Sequence, residues 1–186
     1  AGGPSKVTFG ARTTFAAGTA ADRNLVELGA ATLVLDSATT MRDHVEIHAG
    51  TLYNTGSLTV DPGASGQVDR SGSGPMVNKG SVTVKSGGLL VGGDYRQSGG
   101  RTSLAGAGTH LDRSSTSQVL TFTGGILEGG GTLGASVSNV RATVRPGAAE
   151  VGALRILGGY SQGGHGVLDL DLASSKRDLL SVGGVA

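Results

Sequence analysis

The 186-residue chain contains no cysteine and no tryptophan, and its aromatic residues together make up only 3% of it. Without cysteine the chain can form no disulfide and carries no thiolate for metal binding or nucleophilic catalysis. So few aromatic rings also exclude a compact core built on large flat side chains. Glycine, by contrast, fills 35 positions, which is more than twice its usual share of about 7%.

The chain has few charges, and the two signs nearly balance. Lys and Arg number 15 against 14 Asp and Glu, which gives a net charge of +1 at pH 7, and both signs are mixed along the whole length. A basic stripe that could neutralise phosphates is therefore missing, and we expect no nucleic-acid partner. No stretch free of these charges exceeds the length of residues 114–127, which are rich in Ser, Thr and Gly, so we expect no membrane span within this segment.

Short runs of residues alternate between apolar and polar types, which is the pattern of half-buried β-strands. Glycine pairs and Pro-Gly dipeptides separate these runs and favour tight turns between strands. No window carries the sustained apolar stripe of an amphipathic helix, so the sequence predicts an all-β protein. The clearest alternating runs are residues 45–48, 58–60, 82–84, 120–123 and 168–172.

Three recurrences indicate an internal repeat. Residues 54–60 (NTGSLTV) return as residues 78–84 (NKGSVTV), 24 positions later. The tyrosine run that begins at Tyr95 returns at Tyr160 after 65 positions, and the Pro-Gly dipeptide at Pro62 returns at Pro146 after 84. These offsets are near one, three and four times a period of about 21–24 residues, which is typical of solenoids.

A coil of three short strands and three turns fits this period, and each coil covers the apolar face of its neighbour. The predicted fold is a right-handed parallel β-helix (β-solenoid) of roughly eight coils of about 21–24 residues, continuous over residues 25–182. The narrow interior of such a helix suits small side chains, which accounts for the unusual composition. We expect residues 1–186 to form a single β-helix segment excised from a longer chain.

Asn54 and Asn78 occupy the same position of the repeat. An asparagine in a left-handed turn can stack on its copy in the next coil and share amide hydrogen bonds with it. This predicts that Asn54 lies one coil below Asn78. The alternative is that both are ordinary, unrelated turn residues.

Two histidines and a carboxylate share one side of a predicted strand: His44, Glu46 and His48 alternate with Val45 and Ile47. Such an outward row could bind a divalent metal or form a pH-sensitive contact. Side chains two residues apart on a strand are about 6.6–7 Å apart, however, which is wide for chelation. We therefore expect a solvated strand face with exposed imidazoles and no metal site, and keep the three residues as candidate binding residues.

Asp169 and Asp171 alternate with leucines and could act as the paired carboxylates of a glycan-cleaving site. The simpler interpretation is the solvated face of a strand. Residues 163–169 also approach the glycine-rich calcium nonapeptide, but the aspartate comes one residue late and the unit is not repeated. The sequence also contains no nucleophile elbow and no phosphate-binding loop, so we expect no catalytic residue and no cofactor.

From about residue 50 to its end, the chain resembles the passenger β-helices of bacterial autotransporters and related haemagglutinin-like adhesins. The residues that carry the resemblance are the two Asn-x-Gly-Ser-x-Thr-Val units at 54–60 and 78–84, GGILEGGGTL at 124–133 and LDL at 168–170. The resemblance implies an extracellular, rigid and repetitive segment, secreted or held at a bacterial cell surface. It implies no chemistry, because these are turn and strand motifs.

The function expected from these observations is that of a non-catalytic structural or adhesive module, which spaces or presents binding surfaces. Its partner would be a surface, a protein or a glycan, and its ends could self-associate because a cut solenoid exposes unpaired strand edges. The alternatives are a β-helix polysaccharide lyase or hydrolase, by analogy of fold only, and a phage or self-assembling fibre segment. A Thr- and Ser-rich face would favour the adhesive module, whereas a lateral groove with clustered charges of perturbed ionisation would favour the enzyme.

Overall fold

The computed structural model describes residues 5–16, 24–63, 66–114, 116–148, 151–172 and 176–184. The described residues form 24 short strands in three sheets of eight. Sheet 1 contains β1 (Lys6–Phe9), β4 (Thr32–Leu35), β7 (Thr51–Asn54), β10 (Met76–Asn78), β13 (Tyr95–Gln97), β16 (Val119–Phe122), β19 (Ser136–Asn139) and β22 (Tyr160–Gln162). Sheet 2 contains β2 (Thr13–Phe15), β5 (Ala38–Arg42), β8 (Ser57–Asp61), β11 (Ser81–Val84), β14 (Arg101–Leu104), β17 (Ile126–Gly129), β20 (Thr143–Pro146) and β23 (Val167–Leu168). Sheet 3 contains β3 (Asn24–Glu27), β6 (Val45–His48), β9 (Gln67–Arg70), β12 (Gly88–Val91), β15 (His110–Arg113), β18 (Thr132–Gly134), β21 (Ala153–Ile156) and β24 (Leu179–Val182).

Each strand pairs in parallel with the strand three places further along the chain, so the polypeptide winds through the three sheets once per coil. This confirms the predicted right-handed parallel β-helix. The stack has about seven turns, slightly fewer than predicted, and it begins at Lys6, upstream of the predicted start. The described residues include no helix, and therefore no helix long and apolar enough to cross a membrane.

The sequence recurrences can be compared with the observed register. Asn54 pairs with Asn78 one coil away. Tyr95 is in register with Tyr160, three coils away, through two intermediate strands. The alignment of Pro146 with Pro62, which the Pro-Gly recurrence suggested, is wrong by two residues. Through three intermediate strands, Pro146 is in register with Val60. The coils are also less equal than predicted: 24 residues separate Asn54 from Asn78, but only 19 separate Asn78 from Gln97.

The core is a narrow column of aliphatic side chains inside the coil. Most strands alternate between inward and outward residues: β8, for example, buries Leu58 and Val60 while Thr59 lies on the outer face. The largest rings inside are Tyr95 and Phe122, whose centroids lie 5.9 Å apart. Full burial of one aliphatic side chain contributes about 1.5–3 kcal/mol, and the repeated coils add such contributions without enlarging the core.

An amide ladder lies at the corner between sheets 1 and 2. Nδ2 of Asn54 donates to Oδ1 of Asn78 (2.9 Å), and Nδ2 of Asn78 donates to Oε1 of Gln97 (3.1 Å). Each amide also donates to a backbone carbonyl that opens the next strand of sheet 2, at Ser81 and Arg101. The predicted stacking is therefore confirmed. The predicted left-handed backbone conformation of the two asparagines is wrong, because both residues end strands and neither has a positive φ.

The same corner brings adjacent backbones into close contact. A Cβ placed on Gly80 would lie 2.1 Å from the carbonyl oxygen of Gly56 in the coil below. No real side chain fits at that distance, so glycine is required here by space and not by a positive φ. The short Asn-x-Gly-Ser turn thus allows the coils to stack closely at this corner.

The alternating run at residues 168–172 is only partly a strand. Strand β23 ends at Leu168, and Leu170 and Leu172 are 39% and 78% exposed. The neighbouring strand ends at Pro146, which has no backbone N–H to continue the ladder. The predicted wet strand face at Asp169 and Asp171 is therefore wrong beyond Leu168.

Candidate functional site

Sheet 3 brings Glu46 and His48 together. Nε2 of His48 lies 2.8 Å from Oε1 of Glu46, and Nδ1 lies 2.8 Å from Oε2 of Glu27 in the preceding coil. The wide strand spacing did not prevent this contact, because the long side chains converge. The hydrogen bond with Glu46 is the main cause that raises the pKa of His48, with a smaller contribution from Glu27.

His44, the third member of the row, faces another partner. Its Nε2 lies 3.4 Å from Oδ2 of Asp69 in the next coil. The side chains of His44 and His48 are 27% and 36% exposed, so the expected freely exposed imidazoles are half-buried beside carboxylates. Within the described part of the chain, no group of three or more His, Asp or Glu side chains is arranged to hold a metal ion.

A similar pair lies further along sheet 3. Nε2 of His110 is 3.6 Å from Oδ2 of Asp112, and burial raises the pKa of that carboxyl group. The ring of His110 covers Gly88 in the coil below, because a Cβ at Gly88 would lie 2.0 Å from Nε2. Three histidines thus make four contacts with carboxylates on sheet 3.

The candidate carboxylate pair is engaged in structural contacts. Oδ2 of Asp169 accepts from Nε (2.9 Å) and Nη2 (2.7 Å) of Arg145, and this pairing raises the pKa of Arg145. The backbone N–H of Asp171 donates to Oδ2 of the buried Asp178 (2.8 Å), which also binds the N–H of Gly152. Asp178 thus anchors a loop, and Asp169 is held by an arginine that the sequence did not place beside it.

The outer face of sheet 2 carries a row of hydroxyl groups. Consecutive register partners place five residues in one line across five coils: Thr14, Thr40, Thr59, Thr83 and Ser103. Stacked strands lie about 4.8 Å apart, so the row is regularly spaced. We call these five residues the hydroxyl row. A second line beside it contains Ala38, Ser57, Ser81 and Arg101.

A buried guanidinium links the corner between sheets 3 and 1. Arg70 is 1% exposed, and its Nη2 donates to the carbonyls of Ala49 (2.7 Å) and Gly50 (3.2 Å), while Nη1 donates to that of Gly72. Burial lowers the pKa of Arg70. These contacts bridge two coils and define a structural clamp.

The outer face of sheet 1 contains a groove of about 770 Å³ with both polar and apolar lining. Its floor is formed by outward positions of β10, β13 and β16, and it is also lined by Arg113 at the end of β15 and by Gln118 just before β16. Asp94 lies between two arginines: Oδ2 is 2.8 Å from Nη2 of Arg96, and Oδ1 is 3.4 Å from Nη1 of Arg113. Sequence reasoning missed this site, because its residues come from three coils and form no local motif.

These surfaces define the class of protein: a parallel β-solenoid whose three outer faces carry different chemistry. Sheet 3 presents histidine–carboxylate pairs, sheet 2 presents the hydroxyl row, and sheet 1 presents an arginine-lined groove. Comparison of the chain with models of known protein families, with curated proteins and with solved structures gave no significant match.

Proposed function

We propose that the chain is a non-catalytic structural and adhesive β-helix module, secreted or displayed at a bacterial cell surface, which spaces and presents binding surfaces. The observation that carries this proposal is the hydroxyl row on sheet 2. A regular line of hydroxyl and methyl groups can make many weak, similar contacts with a repetitive partner, and multiple contacts raise the overall affinity.

The solenoid frame supports the same function. Its inter-coil hydrogen bonds run along the rod, so similar coils can be added without a larger core. The engagement of Asp169 by Arg145 is consistent with a structural role for that carboxylate. The rod therefore suits the task of holding a contact surface at a fixed distance from its attachment point.

Binding and turnover can be tested in the same experiment. The purified chain is incubated with insoluble neutral polysaccharides, and the bound fraction and new reducing ends are measured. We expect binding without turnover. Thr59→Lys and Thr83→Lys place a long charged side chain in the hydroxyl row and should lower the bound fraction at least about tenfold, whereas Thr132→Lys, on the outer face of sheet 3, is the matched control.

Two results would contradict the proposal. Equal binding by Thr59→Lys and Thr132→Lys would remove the hydroxyl row as the contact surface. Release of reducing ends that is lost in Asp169→Asn would make the chain an enzyme. Localisation is tested separately: an antibody against the chain should label intact, unpermeabilised cells that express the full-length protein, and sedimentation of the purified chain measures self-association.

A further inference from the structure

The groove on sheet 1 combines a net positive charge with a neutral, hydroxyl-rich lining. The described residues that line it include two guanidinium groups, Arg96 and Arg113, and a single carboxylate, Asp94. One positive charge is therefore left over. The remaining lining consists of hydroxyl, amide and small apolar groups, such as Thr121, Gln118 and Val77.

Arg113 is fixed in place before any ligand arrives. Its side chain is 5% exposed, and Nη1 donates to the carbonyl of Val119 (3.0 Å) as well as facing Asp94. Arg96, by contrast, is 63% exposed, lines the same groove and pairs with Asp94 through its Nη2. A buried guanidinium and an exposed guanidinium that line one groove are suited to bind a small anionic group.

The groove continues along the rod axis toward an aromatic ring. Arg96 is in register with Val77, and Val77 is in register with Tyr53, which is 38% exposed on the same face. Two strand spacings place Tyr53 about 10 Å from Arg96 along the axis. An extended ligand leaving the groove in this direction would pass over an apolar residue and reach a ring on which it can pack.

We propose that this groove binds one anionic unit, a carboxylate or a sulfate, of an acidic polysaccharide chain that runs along the outer face of sheet 1 toward Tyr53. The volume of about 770 Å³ is within the range of ligand pockets. The inference goes beyond the proposed function, because it concerns another face of the rod and does not depend on the hydroxyl row. The single excess charge is too little for a nucleic acid, which requires several phosphate contacts.

The test uses calorimetric titration of the whole purified chain with defined oligosaccharides. Oligogalacturonate carries carboxylates, a sulfated galactan oligomer carries sulfates, and a neutral galactan oligomer of equal length is the control. We expect binding of at least one acidic oligomer and none of the neutral one. The two acidic ligands identify which anionic group is preferred, and single-stranded DNA is included as a competing polyanion.

Two substitutions should act in opposite directions. Arg96→Gln removes an exposed donor and should weaken binding about tenfold or more, because a hydrogen bond to a charged group contributes about 1.5–3 kcal/mol. Asp94→Asn removes the competing carboxylate and should strengthen binding at least about threefold. Arg141→Gln makes the same change of net charge at an exposed position outside the groove and should leave affinity unchanged.

Several outcomes would overturn the inference: no binding at millimolar oligosaccharide, equal binding of the neutral oligomer or of DNA, or equal losses in Arg96→Gln and Arg141→Gln. A folding defect cannot mimic the expected pattern, because one variant must gain affinity while the other loses it. Failure here is also distinguishable from failure of the proposed function, since Thr59→Lys and Thr83→Lys alter a different face and should not change binding of the acidic oligomers.

Discussion

The side-chain amide of Asn54 donates a 2.9 Å hydrogen bond to the side-chain oxygen of Asn78, which lies directly above it one coil further along the solenoid. Both side chains are completely buried. A slip of one residue between these coils would turn the amide outward and leave its partner unpaired in the core. The pair therefore fixes the alignment of two coils as well as stabilising them.

Replacement of Asn78 should be costly. Asn78→Ala removes the hydrogen bonds with Asn54, Gln97 and the carbonyl of Arg101, and we expect the free energy of unfolding in urea to fall by about 2–4 kcal/mol. Asn78→Gln should lose less, because glutamine serves at the next position of the ladder. Lys79→Ala, at the adjacent exposed residue, is the control, and an equal midpoint for Asn78→Ala and Lys79→Ala would refute the role of the ladder.

The close approach of coils at Gly80 predicts a second, purely steric effect. Gly80→Ala places a methyl group against the backbone of Gly56, and we expect a loss of about 1–3 kcal/mol. Gly106 has no atom within 4 Å of an added Cβ and no positive φ, so Gly106→Ala should be neutral or stabilising by up to about 1 kcal/mol. Thermal unfolding of the two variants measures this difference. Equal shifts of Tm in Gly80→Ala and Gly106→Ala would contradict the steric explanation.

The pKa of His48 should depend on its carboxylate neighbours. Because contact with Glu46 and Glu27 raises the folded-state pKa above the ordinary value of 6.5, the associated stability is fully present below pH 6.5 and is lost as pH rises through the folded-state pKa. An NMR titration should show a lower pKa in Glu46→Gln than in the wild type, and a smaller decrease in Glu27→Gln. An unchanged titration in Glu46→Gln would show that the contact does not persist in solution.

The burial of Tyr95 should make the stability of the protein depend on pH at high pH. Burial raises its pKa above the ordinary value of 10.0, so its contribution to stability is complete below about pH 10 and declines above it. Near-ultraviolet absorbance should show phenolate from this residue only as the chain unfolds. Tyr95→Phe removes this component and the 2.5 Å hydrogen bond with Thr102, at a cost near pH 7 of about 1 kcal/mol.

The sequence was sufficient to predict the fold, because the Asn-x-Gly-Ser unit recurs at a corner where the amide ladder and the close approach of Gly80 to Gly56 constrain the spacing. It was insufficient to predict the hydroxyl row. Thr40, Thr59 and Thr83 are separated by coils of different length, so no single period aligns them before the register is known. The groove at Arg113 could not be predicted from the sequence for the same reason, because a residue's neighbours in a solenoid lie one coil away and not nearby in sequence.

The unequal coils have a consequence for how this chain tolerates change. The turn between sheets 1 and 2 is only two residues long at 55–56 and 79–80, whereas the turn between sheets 2 and 3 is longer at 105–109. Added length is thus absorbed at corners that carry no amide ladder. A guest peptide inserted near Gly106 would be displayed from the side of the rod, while the stacked faces on either side kept their order.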